Sequence, residues 1–162
     1  MTLTVTRWGA WGFGRRWACA IGRGGITEAK REGDGATPAG QLRITGCLFR
    51  PDRMARPAPW AQPIGPRDLW CDDPGHAAYN TAVRAPLAAS AERMARADPL
   101  YDLVLTTDWN WPDAVPGKGS AIFVHRWRKP RHPTEGCIAF APGALRDLAV
   151  LLPPGSVITV RS

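Results

Sequence analysis

Glycine and proline are spread along the whole chain and leave only short segments in which regular structure can form. The 162 residues include 17 glycines and 16 prolines. Proline removes a backbone donor and glycine weakens a helix interior, so a chain divided in this way favours short strands and turns over long helices. The length is that of one domain, and we expect a single domain over residues 1–162.

Short apolar segments between these breaks predict strands, and two further segments predict helices. The predicted strands are residues 2–7, 16–22, 41–49, 101–107, 120–127 and 156–160. We expect the first two to form a hairpin around Gly12–Gly14. Helical patterns cover residues 88–97, with Ser90 as a cap, and residues 142–152, which begin at Pro142. Because strands and helices do not alternate, the pattern predicts a mainly antiparallel β domain with about two helices.

Two segments are rich in glycine or proline and show neither pattern. Residues 31–40 (REGDGATPAG) contain three glycines and a proline, which predicts a tight, ordered loop. Residues 50–67 hold five prolines and four arginines, a composition typical of an extended, partly rigid loop. Long loops in compact domains are often lids, so the segment 50–74 is a candidate lid over a cleft. The same composition also fits a surface loop that has no role.

The chain is basic, with a formal net charge of +7 from 21 Lys and Arg against 14 Asp and Glu. This excess predicts an anionic partner, and charge alone leaves nucleic acid, anionic lipid and an acidic polymer open. No apolar run approaches the ~18 residues of a membrane-spanning helix, so we predict no span. Residues 1–16 lack the apolar stretch of a secretory signal. We therefore expect no export signal in them, which leaves open an internal location, an unusual export route or a leader outside this numbering.

The four cysteines are Cys19, Cys47, Cys71 and Cys137, and none forms a C-x-x-C pair. The sequence therefore predicts no structural zinc site, and no motif for another metal or a cofactor is present. Cys19 and Cys47 lie inside apolar strands, which is typical of buried core thiols. A disulfide between one pair stays open for an exported chain.

The segment 120–140 (SAIFVHRWRKPRHPTEGCIAF) combines the residues of a cysteine nucleophile and its base. His125 ends an apolar strand, and Cys137 follows twelve positions later. A neighbouring imidazole activates a thiol by taking its proton, and two adjacent strands joined by a loop of this length can bring the two side chains together. Gly136 allows a sharp turn that leaves backbone N–H groups beside the sulfur, where they can stabilise an oxyanion. His132 is the fallback base.

The same segment carries a cluster of positive charge formed by Arg126, Arg128, Lys129 and Arg131. One interpretation is a solvated, charged loop. Beside a nucleophile we favour the rim of a pocket for a substrate with carboxylates, because Arg binds carboxylates through two parallel hydrogen bonds.

Four segments in this order resemble the YkuD-type L,D-transpeptidase catalytic domain. They are REGDGATPAG (31–40), YDLVLTT (101–107), GSAIFVH (119–125) and PTEGCIAF (133–140). The family motif is a His, a loop and then Ser/Thr-His-Gly-Cys, which Thr134, Gly136, Cys137 and the upstream His125 match. The earlier T-P-x-G element is matched by residues 37–40. Together the segments extend the resemblance over roughly residues 3–160.

Two residues depart from the family pattern. Glu135 stands where the family usually has His, and Ala139 stands where it commonly has Asn or Arg. Glu135 could orient His125 or be a surface charge. Thr134, Glu135 and Gly136 make up the predicted nucleophile loop.

The resemblance implies a sandwich-like or barrel-like β fold and a peptidoglycan L,D-transpeptidase. Cys137 would attack the third residue of a stem tetrapeptide and release D-alanine, and the amine of a second stem would then resolve the thioester. The link formed would be 3-3, or a variant such as 1-3. The partners implied are donor and acceptor stem peptides and not nucleic acid, and the implied location is the periplasm or cell envelope. The substrate-binding residues that accompany this hypothesis are Arg126, Arg128, Arg131, Tyr79 and Trp127.

Two alternatives stay open at this point. With water as the acceptor, the same chemistry gives an L,D-carboxypeptidase. A non-catalytic domain that binds an anionic polymer such as peptidoglycan would also use the positive charge and the eight tryptophans, although these are scattered along the chain. Other cysteine peptidases fit less well, because papain-like enzymes place Cys before His and caspases separate the pair by about 50 residues.

Overall fold

The computed structural model describes residues 2–162, and strands dominate this part of the chain. The single helix among these residues is α1 (Pro142–Leu151). The strands are β1 (Thr2–Thr6), β2 (Gly9–Gly12), β3 (Arg15–Trp17), β4 (Cys19–Ala20), β5 (Ile26–Thr27), β6 (Thr37–Pro38), β7 (Gly40–Phe49), β8 (Ala61–Pro63), β9 (Asp68–Cys71), β10 (Ala82–Arg84), β11 (Ala91–Arg93), β12 (Leu103–Thr107), β13 (Phe123–Arg126), β14 (Ile138–Phe140) and β15 (Val157–Val160).

The main sheet has ten strands and nearly closes on itself. Nine strands follow in the order β3-β2-β1-β15-β7-β12-β13-β14-β4, and β8 pairs with β7 off this path. The two ends of the sheet, β3 and β4, are consecutive in the chain and separated only by Ala18. One bent segment therefore pairs with β2 before the bend and with β14 after it, which gives a barrel-like sheet. The prediction of a mainly β, barrel-like fold is confirmed.

The main core lies between this sheet and α1. Alternate residues of the central strands point into it, among them Leu3, Leu105 and Ile158, all fully buried. The helix adds Leu145 and Leu148 from one face, as an amphipathic pattern requires. Its first residue is a proline, which suits a position whose N–H has no intrahelical acceptor. The helix predicted at 142–152 is confirmed.

A second, smaller core covers the other face of β12 and β13. It contains Trp70, Met94, Tyr101, Val104 and Phe123. Trp70 comes from a separate three-stranded sheet with the order β10-β9-β11. Both faces of β12 are therefore covered, and all five of its residues are buried. The candidate site lies on the face of β13 that packs against this second core.

The helix predicted at 88–97 is wrong. Residues 91–93 form β11 and pair antiparallel with β9. In an extended chain Glu92 and Met94 point to the same side. Met94 packs in the second core there, and Glu92 accepts the Tyr101 hydroxyl. The free edge of β9 and burial of Met94 outweigh the helical propensity of this alanine-rich segment. The count of about two helices falls to one within residues 2–162.

The predicted N-terminal hairpin has different partners from those expected. The turn at Phe13–Gly14 joins β2 to β3, while β1 pairs with β2 through the turn at Arg7–Trp8. The predicted strand 16–22 is divided at Ala18 into β3 and β4. Barrel closure requires this division, because the two halves pair with different strands.

The proline-rich segment 50–67 runs along the outside of the barrel beside α1. It contains the short strand β8, which pairs parallel with β7. Met54 and Trp60 pack against the main core. Arg50 and Arg53 donate to the backbone oxygens of residues 96–98. The segment thus holds the loop that follows β11.

Candidate active site

The site is built on β13 and β14, which are neighbours and run parallel. Val124 pairs with Ile138, and both point into the main core. Because side chains alternate along a strand, Phe123 and His125 point to the opposite face, as does Cys137 just before β14. Cys137 packs against the second core, which contains Phe123. Parallel pairing therefore brings the predicted nucleophile and the predicted base to one face.

His125 and Cys137 line a common cavity of about 260 Å³. Its other walls come from the loop after β11, from the residues just before β12 and from the segment between β13 and β14. The lining residues are Glu92, Arg96, Leu100, Tyr101, His125, Trp127, Arg128, His132, Pro133, Thr134, Glu135 and Cys137. No residue of the segment 50–74 is among them, and the role of that segment as a lid stays a prediction.

His125 is buried and held in one orientation. Its Nδ1 lies 2.7 Å from the backbone oxygen of Arg126, which can only accept, so Nδ1 carries the proton and Nε2 has the free lone pair. The ring of Tyr101 packs edge-on against the imidazole at 5.4 Å between centroids. Burial lowers the pKa of His125 to about 4. The imidazole is thus neutral at pH 7 and ready to accept a proton.

Cys137 rests as a neutral thiol. Its Sγ lies 3.1 Å from the Ala121 backbone oxygen, to which the S–H donates, and it accepts the Phe123 N–H at 3.4 Å. Burial of the sulfur, with a smaller effect of the nearby Glu92 carboxylate, raises the pKa of Cys137 to about 12. The resting pair is therefore thiol and imidazole rather than thiolate and imidazolium. The base must remove the proton as the thiol attacks.

The nucleophile loop is held by its own threonine. Thr134 Oγ1 donates to the Cys137 backbone oxygen at 2.5 Å and accepts the Gly136 N–H at 3.1 Å. Gly136 has a φ of 138°, in the region that favours glycine. Its N–H is thus bound to Thr134, while the N–H beside the sulfur is that of Phe123. Glu135 points outward and pairs with Arg23 at 2.8 Å.

The glycine-rich segment packs directly beneath this loop. The buried Thr37 hydroxyl donates to the Gly136 backbone oxygen at 2.8 Å and accepts the Gly22 N–H at 2.8 Å. A Cβ on Gly136 would lie 2.9 Å from the Ala36 oxygen. A Cβ on Gly22 would overlap the Gly35 oxygen and lie 3.0 Å from the Gly136 Cα. The backbones at Gly22, Gly35–Ala36 and Gly136 therefore lie so close together that a side chain on Gly22 or Gly136 would collide with a neighbouring backbone.

The structure separates the predicted substrate-binding residues. Trp127 and Arg128 line the cavity. Arg126 points to the opposite face of β13, where it lies beside α1. Arg131 lies on the outer surface, where its guanidinium donates to the Trp8 oxygen. Tyr79 is buried outside the cavity lining; its hydroxyl donates to Glu32 and accepts the Gly119 N–H. The fallback base His132 also lines the cavity.

Three polar cavity residues were missed in the sequence, Glu92, Arg96 and Tyr101, besides the apolar Leu100 and Pro133. Glu92 accepts the Tyr101 hydroxyl at 2.5 Å, and burial raises the pKa of the Glu92 carboxyl. Arg96 binds Asp98 through two hydrogen bonds and lies over the Tyr101 ring. Glu92 and Arg96 fall in the segment wrongly predicted as a helix. No local signal marks them, because the β9–β11 pairing brings them to the cavity.

The four cysteines are free thiols. Cys19 and Cys47 are buried, and burial raises the pKa of each to about 11. Cys71 is fully buried in β9. Cys137 alone among them lines the cavity with His125.

Comparison with protein families decides the assignment. The model of the L,D-transpeptidase catalytic domain (YkuD) matches residues 5–160. The chain belongs to the L,D-transpeptidase catalytic-domain family. The resemblance seen in residues 31–40 and 133–140 is confirmed. No curated protein and no solved structure gives a significant match.

Two further findings concern the L,D-transpeptidase domain as a whole. Among residues 2–162 there is no helix with the length and apolar character that a bilayer crossing demands. In the same range, no three His, Cys, Asp or Glu side chains are grouped so that they could hold a metal ion.

Proposed function

We propose that this domain cross-links peptidoglycan by acyl transfer through a thioester on Cys137, with His125 as general base. The observation that carries the proposal is the meeting of these two side chains in one cavity, with the lone pair of His125 Nε2 left free by the Nδ1 bond to Arg126. Membership of the L,D-transpeptidase family supports peptidoglycan as the substrate class.

Each step of the reaction moves one proton through His125. The Cys137 sulfur attacks the carbonyl carbon of the third stem residue while Nε2 takes the thiol proton. Nε2 then gives this proton to the nitrogen of D-alanine, the C–N bond breaks, and a thioester remains. The neutral amine of a second stem attacks the thioester carbonyl and releases its proton to Nε2. The sulfur leaves and regains a proton from His125.

The charges around the cavity fit a stem peptide. Arg96 and Arg128 both bring positive charge to the cavity. Arg96 is paired with Asp98, whereas Arg128 can bind a stem carboxylate. Glu92 offers a carboxylate on the same cavity, close enough to raise the pKa of Cys137. A diaminopimelate side chain ends in both an ammonium and a carboxylate, so a cavity with both signs of charge suits it.

The test is incubation of the purified domain with disaccharide-tetrapeptide, followed by mass spectrometry of protein and products. We expect an adduct on Cys137 with loss of D-alanine, and its absence in Cys137→Ala. Cys71→Ala is the matched control, because it removes a buried thiol outside the cavity and should keep the adduct. A folded wild-type protein that gives neither adduct nor product would overturn the proposal in favour of a non-catalytic binding domain.

The products also decide the finer points of the proposal. A dimeric product shows transfer, and its fragmentation distinguishes a 3-3 from a 1-3 link. Free tripeptide without dimer would identify an L,D-carboxypeptidase that uses water as the acceptor. On substrate grounds we propose the periplasm or cell envelope as the place of action, and fractionation of cells that express the protein tests this.

A further inference from the structure

A groove lined by tryptophans lies on the outer surface where the barrel closes. Trp8, Trp11 and Trp17 line it together with Arg16 and Arg131, and its volume is about 370 Å³. Trp8 is 73% exposed and Trp11 is 44% exposed. Large aromatic side chains exposed together mark binding surfaces more often than scattered ones do.

Small residues also line this groove. They are Gly9, Ala10 and Ala18, and Ala18 is the residue at which the bent segment passes from β3 to β4. A Cβ on Gly9 would lie 2.9 Å from the Trp17 backbone oxygen. The depression between the tryptophans therefore depends on close backbone approach at the seam of the barrel.

A second depression lies between the groove and the cavity of His125 and Cys137. Its volume is about 520 Å³, and it shares Arg131 with the tryptophan groove and Pro133 with the cavity. Arg131 and Pro133 both belong to the segment between His125 and Cys137. The groove and the second depression therefore adjoin at Arg131, and the two together are called the path.

Positive charge dominates the lining of this path, although Arg23 is paired with Glu135. Arg7 and Arg23 line the second depression, Arg16 lines the groove, and Arg131 lines both. Among residues 2–162, no Asp or Glu side chain lines either depression. Such a path attracts anionic groups and offers Arg donors to amide and hydroxyl oxygens.

We propose that the tryptophan groove binds the glycan strand that carries the stem peptide, as a site of its own beside the catalytic cavity. This inference rests on the proposed function. A β-1,4-linked N-acetylhexosamine presents flat faces of C–H groups, which pack on an indole ring, and a rim of hydroxyl and acetamido groups, which bind arginine. The stem carboxylates then follow the arginines towards Cys137.

The first test measures binding without catalysis. Isothermal titration calorimetry uses a soluble oligomer of β-1,4-linked N-acetylglucosamine, which is uncharged and has no stem. We expect wild-type protein to bind it, and Trp8→Ala and Trp11→Ala each to bind about tenfold more weakly. Trp111→Ala is the matched control, because Trp111 is 41% exposed but lies outside the groove. It should bind like wild type.

The second test compares donors with and without sugar. We expect dimer formation from disaccharide-tetrapeptide to exceed that from free tetrapeptide at limiting concentration, and Trp8→Ala to reduce this ratio towards one. If wild-type protein formed the thioester but did not bind the oligosaccharide, the proposal of a glycan site in the groove would be overturned and the proposed function would stand. If the protein bound the oligosaccharide, lost affinity in Trp8→Ala, and formed no thioester, the glycan site would be supported and the proposed function would be overturned.

Other occupants give distinct results. Self-association in sedimentation that Trp8→Ala abolishes, without sugar binding, would identify the groove as an interface between two copies and overturn the proposal. Binding of a single-stranded oligonucleotide that weakens steeply with salt and depends on Trp8, again without sugar binding, would overturn it in favour of nucleic acid.

Discussion

The segments 31–40 and 50–67 both lack a strand or helix pattern in the sequence, yet they support the cavity of His125 and Cys137 in opposite ways. The first holds the nucleophile loop through the Thr37 hydroxyl and through backbones in van der Waals contact. The second reaches the loop after β11 with the long side chains of Arg50 and Arg53. Glycine allows close approach, whereas arginine bridges a distance.

The two kinds of support differ in how much change they tolerate. Backbones in contact leave no room for a single added carbon, and the bonds between them are neutral and buried. An arginine side chain can adjust its rotamer, and the partly exposed ion pairs of Arg50 and Arg53 are weakened by salt. We therefore expect the glycine-rich side to be sensitive to small changes in shape and the proline-rich side to be only modestly sensitive.

The largest effect should come from a methyl group on the glycine-rich side. In Gly22→Ala the new Cβ overlaps the Gly35 oxygen and presses on the Gly136 Cα, so the loop backbones that meet there must move apart. We expect a loss of at least ~3 kcal/mol in the free energy of unfolding, measured by urea denaturation. Gly143→Ala is the control, since its Cβ would meet no atom within 4 Å. Equal stability of both variants would contradict the close packing.

The next effect concerns acid, because the buried imidazole is held neutral. The pKa of His125 is about 4 in the folded protein, against an ordinary value of 6.5. The unfolded state therefore binds more protons between these values, and the free energy of unfolding falls as pH drops from 6.5 towards 4. The full loss of stability over this range is about 3 kcal/mol.

Denaturation across this pH range compares wild type with His125→Gln. We expect the difference in slope between them to correspond to one proton, since Gln can still donate to the Arg126 oxygen but does not titrate. Parallel curves would show that His125 is not held neutral by burial. Thioester formation by wild type should also fall below about pH 4, where Nε2 becomes protonated.

A smaller effect should follow from the loss of one hydroxyl. In Thr37→Val the Gly22 N–H and the Gly136 oxygen lose a buried partner while the shape is kept. We expect a loss of about 2 kcal/mol in stability and slower acylation of Cys137, measured by denaturation and by adduct formation. Thr37→Ser keeps the hydroxyl and should restore most of both. If Thr37→Val kept the stability and activity of wild type, the Thr37 hydroxyl would not be needed to hold the loop.

The smallest effect should come from the proline-rich side. Arg53→Ala removes bonds to the oxygens of Ala97 and Asp98 and the ion pair with Asp102. We expect a loss of about 1 kcal/mol that shrinks as salt is raised, seen as a small fall in Tm. Arg56→Ala is the control, because Arg56 makes no ion pair among the described residues. If Arg53→Ala lost as much stability as Gly22→Ala, the proline-rich segment would be as sensitive to change as the glycine-rich one, contrary to this expectation.

Much of this fold could be predicted from local patterns. The strands at 41–49, 101–107 and 156–160 and the helix at 142–152 all formed, because their periodicity and their breaks agree with their burial. The segment 88–97 was predicted wrongly, since its alanines favour a helix while the free edge of β9 is a contact distant in sequence. The predicted hairpin has its turn at Phe13–Gly14, but β2 rather than residues 2–7 pairs with β3 there.

The fold class, the family and the meeting of His125 and Cys137 in one cavity could be predicted from the amino-acid sequence alone, because they depend on residue types in a recognisable order. The catalytic roles of the two residues stay a prediction. The three-dimensional arrangement was needed to show that Arg128 faces the cavity and Arg126 does not, and that Glu92 lies near the thiol. These facts depend on which face of a strand a side chain takes and which strands become neighbours. Both follow from closure of the barrel, which joins segments far apart in the chain.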